Sequence, residues 1–169
     1  MDQEAQYHSW IRAVYALEKH SDSLLQAFIH HLQPWPALQL HVLVHAEETQ
    51  DNIVNLERFM QHNNVSGSSA QNRSTPLFQP NIEGIDSLIM APAPAQHFLG
   101  CYLLENYEIG CLTTVQSAAE CMGDREGMHL LNGFIRQDLK MAGWALMHMP
   151  EMTSNLLASH PPPTTSRLH

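Results

Sequence analysis

Five carboxylates fall where the apolar periodicity of the chain turns inward. In the first periodic segment the series 11, 14, 18, 21, 25, 28, 32 sets Glu18 and Ser21 among Ile11, Val14, Leu25, Phe28 and Leu32. A second series, 40, 43, 47, 50, 54, sets Glu47 and Gln50 among Leu40, Leu43 and Val54. In the third, Glu105 and Glu108 lie between Phe98 and Cys101 on one side and Leu112, Val115, Ala119 and Met122 on the other. Asp138 lies between Leu131 and Phe134 before it and Met141 and Ala145 after it. Steps of three and four keep residues on one helical face, so each seam carries acid near its middle.

Such a layer needs compensation. An unpaired buried charge is costly, and like charges close together make it costlier. No Lys or Arg shares these seams: Lys19, Arg58, Arg136 and Lys140 fall on other faces. Three solutions follow: bound cations, shared protons, or a different helical phase. Inward carboxylates from four helices commonly hold a pair of metal ions. Tyr15 and Tyr107 fall near the layer, where their hydroxyls could hydrogen-bond carboxylates or simply reach water.

The elements that would position these residues are all helices. The pattern predicts helix one over 4–33, stopped by Pro34 and Pro36, and helix two over 37–63 with Leu40, Leu43, Val44, Val54 and Leu56 on its apolar face. So short a connection predicts an antiparallel pair. Residues 64 to 95 break the periodicity: NNVSGSSAQNRSTP is turn-rich and APAPAQ cannot be helical throughout, while NIEGIDSLIM between them could make one or two turns. Helix three is expected over 95–122, closed by Gly123, and helix four over 125–149, capped by Asp124 and ended by Pro150. Residues 151 to 158 could add a turn. A connection as long as 64–95 can return the chain to the opposite end of a bundle. The expected fold is therefore all-α, a ferritin-like four-helix bundle with a long crossover between helices two and three. One domain would span 1–158, and 159–169 would form a flexible Pro-rich tail able to dock a partner protein.

Composition agrees. The chain has 169 residues, 44% apolar but only 7% aromatic, with nine Met. Unbranched side chains lose little freedom in helices. A net charge of −9 with only eight Lys and Arg argues against nucleic-acid binding. The N-terminus has no basic n-region or apolar h-region, and no apolar run is long enough for a membrane span, so a cytoplasmic protein is expected. Cys101, Cys111 and Cys121, with no CxxC pair, read as reduced thiols filling space. No nucleophile elbow, P-loop or dinucleotide fingerprint occurs. His41 and His45, His30 and His31, His20 and His148 lack metal-ligand spacing and read as surface or satisfied histidines. Gly127, Gly133 and Gly143 read as points of close helix approach, and Trp10, Trp35 and Trp144 as exposed anchors for a homodimer.

The segments YALEKH, HAEETQDNI, LLENYEIG and LLNGFIRQDLK resemble the YciE/YciF family of bacterial ferritin-like, rubrerythrin-related stress proteins, over roughly residues 10 to 150. The resemblance implies a homodimer holding two metal ions between its helices, with Glu18, Glu47, Glu105, Glu108 and Asp138 as ligands. It also implies a stress-response setting. The chain departs from the family pattern. Gln50 stands where the family has His, leaving it as a weak ligand or support for Glu47. Asn106 replaces a second family His, and the residue three after Asp138 is Met141, no ligand for a hard ion. Both Glu-x-x-His histidines are thus absent. The implied cofactor is iron or manganese, with magnesium or calcium as further candidates, or none if the site is degenerate. Any activity would be that of a di-metal oxidase or peroxidase. The other reading is a metal-free helical adaptor.

Overall fold

The computed structural model describes residues 2–65 and 83–159, and among them all regular structure is helical. The helices are α1 (Gln3–His31), α2 (Pro36–His62), α3 (Glu83–Ile89), α4 (Pro94–Met122) and α5 (Arg125–Ser159). Their ends follow local chemistry. Asp2 Oδ1 accepts from the Glu4 N–H at 3.2 Å to start α1. Pro36 and Pro94 sit at the first turns of α2 and α4, where a missing N–H costs nothing. Gly123 takes a left-handed conformation, φ 69°, with Asp124 N–H bonded to Ala119 O and Gly123 N–H to Glu120 O. Asp124 Oδ1 then accepts from the Gly127 N–H at 2.8 Å and opens α5.

Two apolar clusters give the directions of the helices. One joins Leu25 and Phe28 of α1, Val42 and Ala46 of α2, Phe98 and Leu104 of α4, and Met141 and Ala145 of α5. The other joins Ile11 and Val14, Leu56 and Phe59, Leu112 and Val115, and Leu131 and Phe134. The end of α1 thus meets the start of α2, and the end of α4 meets the start of α5, so each pair is antiparallel. The start of α2 and the start of α4 share a cluster, so those two helices are parallel. α2 ends in the second cluster and α4 begins in the first. Between them in the chain, α3 forms at the expected helical turn and buries Ile89 against α4. The turn-rich part of the crossover and the Pro-rich tail beyond residue 159 lie outside the described residues.

Gly100 of α4 is where α3 docks. A Cβ there would lie 2.7 Å from Ile89 Cγ1 and 2.9 Å from the Ile89 backbone nitrogen, and backbone cannot swing aside. Gly100→Ala is therefore expected to destabilise the protein by about 1–3 kcal/mol through overpacking, read as a lower urea midpoint. An unchanged midpoint would mean that α3 yields freely.

The structure corrects several expectations. α5 does not stop at Pro150 but continues to Ser159. Proline removes one helical hydrogen bond, yet Met152, fully buried in the first cluster, anchors the helix beyond it. The inward phase of α2 differs from the predicted one. Leu40, Leu43, Val44 and Val54 are exposed, while Val42, His45, Ala46, Thr49, Asn52, Leu56 and Phe59 are buried. Trp144 is buried against Phe98 rather than exposed, and Trp10 and Trp35 pack partly against the clusters. Of the three α5 glycines read as close approaches, only Gly127 is one: a Cβ there would strike the Tyr7 hydroxyl and Asp124, whereas Gly133 and Gly143 face open space. Among the described residues no helix is long and apolar enough to cross a membrane.

Candidate metal centre

Between the two apolar clusters lies a buried polar layer. α1 contributes Glu18 and Ser21, α2 contributes His45, Thr49 and Asn52, α4 contributes Glu105 and Glu108, and α5 contributes Asp138. Each follows or precedes core residues on its own helix at helical spacing, which is why burial of the apolar faces drags these polar groups inside.

One donor atom each from His45, Glu105 and Asp138 lie within 4.8 Å of one another. His45 Nε2 is 3.1 Å from Glu105 Oε2, and its Nδ1 is 3.3 Å from Glu48 Oε2. An imidazole held through one nitrogen by a carboxylate, with the other aimed at a donor cluster, is the arrangement usual for metal-ligating histidine. Glu48 in turn pairs with Lys140 Nζ at 3.6 Å. The Ser21 hydroxyl donates to Glu108 Oε2 at 3.0 Å. Asn52 Nδ2 donates to Gln137 Oε1 at 2.8 Å and reaches Glu18 Oε2 at 3.4 Å. The Cys101 thiol lies 3.9 Å from Glu105 Oε1. Asp138 Oδ2 is buried with no hydrogen-bond partner. A carboxylate oxygen in that condition calls for a proton or a cation.

The electrostatics say the same. Burial first, then the charges of Asp138, Glu105 and Glu18, push the Glu108 carboxyl well above its ordinary range. Burial and the charges of Glu105, Glu18 and Glu48 do likewise to Asp138. Glu18 is pushed up to about 8, chiefly by burial, with Asn52 opposing and Glu105 adding to it. Burial pulls the His45 imidazole down, but the Glu105 charge and the hydrogen bonds to Glu105 and Glu48 outweigh it, and the net shift is upward. Burial and mutual repulsion thus favour the protonated forms of Glu18, Glu108 and Asp138, and the two neighbouring acids favour the protonated form of His45.

Of the residues singled out in the sequence, Glu18, Glu105, Glu108 and Asp138 come together and Glu47 does not. Glu47 is exposed, because the inward face of α2 runs through positions 42, 45, 49, 52 and 56. Gln50, expected beside Glu47, is also at the surface and donates to Asp22 Oδ1 at 3.2 Å. The Tyr15 hydroxyl donates to Glu57 at 2.6 Å at the surface, away from the layer. Tyr107 is half-buried and partnered by Cys111. The residues missed by sequence reasoning are His45, Asn52 and Glu48. For His45 and Asn52 the signal was present in the run 45, 49, 52, 56, 59, itself a helical stripe leading into Leu56 and Phe59.

A family model described as "Domain of unknown function (DUF892)" matches residues 2–158. The chain belongs to this family. The same fold is found in a crystal structure of a protein from Xanthomonas campestris pv. campestris, with TM-score 0.72 and 20% identity over 94% of this chain and 98% of that one. It is found also in the E. coli stress protein YciF, with TM-score 0.70 and 16% identity over 91% of this chain and 98% of that one. The resemblance to the YciE/YciF family read from the sequence is thereby borne out. The three cysteines are free, with Cys101 and Cys111 buried and Cys121 exposed.

The donor set suits a divalent cation. Glu105 and Asp138 offer hard carboxylate oxygens and His45 an imidazole nitrogen, all within 4.8 Å of one another. The unpartnered Asp138 oxygen marks where a positive charge is wanted.

Proposed function

We propose that this chain is a ferritin-like bundle that holds divalent metal in its polar layer, with His45, Glu105 and Asp138 as the central donors and Glu18 and Glu108 completing the set. The observation carrying this reading is the convergence of three buried donor atoms from three helices, one of them on a carboxylate with an oxygen left unpartnered. The printed description of YciF as a stress protein, together with the shared fold, supports a stress-associated setting. Bound iron or manganese would supply redox and Lewis-acid chemistry. The protein's part is to hold the ligands, exclude bulk water, and take up the protons that a metal displaces.

A metal-free bundle is the competing reading. It is favoured by the Ser21–Glu108 and Asn52–Glu18 hydrogen bonds, which already serve two of the four carboxyls. Metal analysis of freshly purified protein, with melting curves before and after chelation, separates the two. We expect bound metal in simple stoichiometry, and a melting temperature that drops by about 5–10 °C on chelation and returns on adding Mn(II). Absence of metal together with identical melts would leave the metal-free bundle standing.

A further inference from the structure

A layer this enclosed needs an entrance. Glu18, Glu105, Glu108, Asp138 and His45 are all 4% exposed or less, and a packed core has no gap for a hydrated ion. Of the four pairings between neighbouring long helices, α2 with α5 is the loosest. A pocket of about 260 Å³ opens there, bordered by Leu40 and Val44 at its apolar side, Met141 and Lys140 of α5, and the site residue His45 with Glu48.

Glu48 spans the step from surface to core. Its Oε2 lies 3.3 Å from His45 Nδ1, and its Oε1 lies 3.6 Å from the Lys140 ammonium. The Glu48 side chain is 29% exposed and that of Lys140 60%, so one carboxylate touches both a buried candidate ligand and a solvated cation. An ion pair this exposed is weak, and a divalent cation can displace a single ammonium from it. The net charge of −9 draws cations towards the protein.

We propose that the α2–α5 pocket is the port by which hydrated divalent cations reach the polar layer, with the Glu48 carboxylate receiving the ion and Lys140 occupying that carboxylate until the ion arrives. The inference rests on the metal reading above and adds a route to it. Oxygen Oε1 would exchange the ammonium for the cation, and His45, Glu105 and Asp138 would hold it beyond the pocket. No bond other than metal–ligand and ion-pair contacts forms or breaks.

The test is the rate of Co(II) uptake by the chelator-treated full chain, followed by stopped-flow absorbance, with final stoichiometry measured separately. Glu48→Gln keeps an acceptor for the His45 N–H but removes the charge. Val44→Phe narrows the pocket mouth and replaces no candidate ligand. Both are expected to slow loading about tenfold, Val44→Phe with final stoichiometry intact, and Lys140→Gln to speed it a few-fold. Leu103→Phe, on the outer face of α4, should load as wild type does. Wild-type rates in both Glu48→Gln and Val44→Phe would overturn the port while leaving the metal site standing. A wild-type loading rate in Glu48→Gln beside slow loading in Val44→Phe would overturn the delivery role of Glu48 and leave it a positioning residue for His45. No Co(II) uptake by the wild type at all would overturn the metal reading and the port with it.

Discussion

Stripped of metal, the protein is expected to be more stable at pH 5 than at pH 8, and Asp138→Asn to remove much of that loss. Glu18 is pushed up to about 8, and Asp138 and Glu108 are raised well above their ordinary range, in each case by burial first. In the unfolded chain these groups ionise near pH 4 to 4.5, so between there and pH 8 the folded state binds more protons than the unfolded one. Stability conferred by a raised group is complete below its unfolded value and is lost as pH climbs through the folded value. His45, also raised, acts with the same sign. One carboxyl shifted as far as Glu18 corresponds to about 4–5 kcal/mol, and because the groups are coupled the sum is not additive. A fall in melting temperature on the order of 10 °C from pH 5 to pH 8 follows for a chain of this length. Asparagine matches the shape of Asp138, carries no charge, and can donate to its acidic neighbours. Asp138→Asn should recover roughly 2–3 kcal/mol of stability at pH 8 while losing metal binding. Opposite signs of the two effects in one variant would mark a group kept for its ligand chemistry at the expense of stability. Calorimetry in chelator at both pH values decides the matter. A metal-free protein that gains stability as pH rises, as one held by ionised salt bridges does, would show that the layer is not buried as described.

The outline of the fold was legible because its signals are redundant. Pro36, Pro94, Gly123 and Asp124 punctuate the chain by backbone chemistry alone, and the observed helix ends fall within two residues of their expected positions at every boundary but one. The exception is the end of α5, where burial of Met152 overrides the local preference of Pro150. The seams of α1, α4 and α5 were legible for a similar reason: each has enough large buried residues to fix its phase. The seam of α2 was not. Its surface carries Leu40, Leu43, Val44 and Val54, while its buried face carries His45, Thr49 and Asn52. Apolar residues thus lie on both faces, with Val42, Ala46, Leu56 and Phe59 inside and Leu40, Leu43, Val44 and Val54 outside, so hydrophobicity alone does not fix the phase. Polar side chains turned inward at 45, 49 and 52 invert the usual reading of a helix face, which is why the candidate site was hardest to see on α2.

That inversion gives the sharpest contrast between two neighbouring residues. His45→Ala is expected to lower affinity for Mn(II) by more than about a hundredfold, whereas Glu47→Ala should bind as wild type does. His45 supplies the only imidazole within reach of Glu105 and Asp138 among the described residues, and losing a direct ligand should exceed the 10–100-fold typical of losing a group that merely orients one. The substitution also leaves Glu105 as a buried carboxylate without its ion-pair partner, so the metal-free variant should lose about 3–5 kcal/mol. Glu47 is exposed and makes no contact with the layer, and alanine is a good helix former, so its replacement should change stability by no more than about 0.5 kcal/mol. Isothermal titration with Mn(II), paired with urea melts in chelator, reads both quantities. The converse pattern, binding lost in Glu47→Ala and kept in His45→Ala, requires α2 to be turned about its own axis until Leu40, Leu43 and Val54 face the core. The deeply buried Val42, Ala46 and Leu56 would then face water, so the titration tests the packing of the whole helix along with the identity of one ligand.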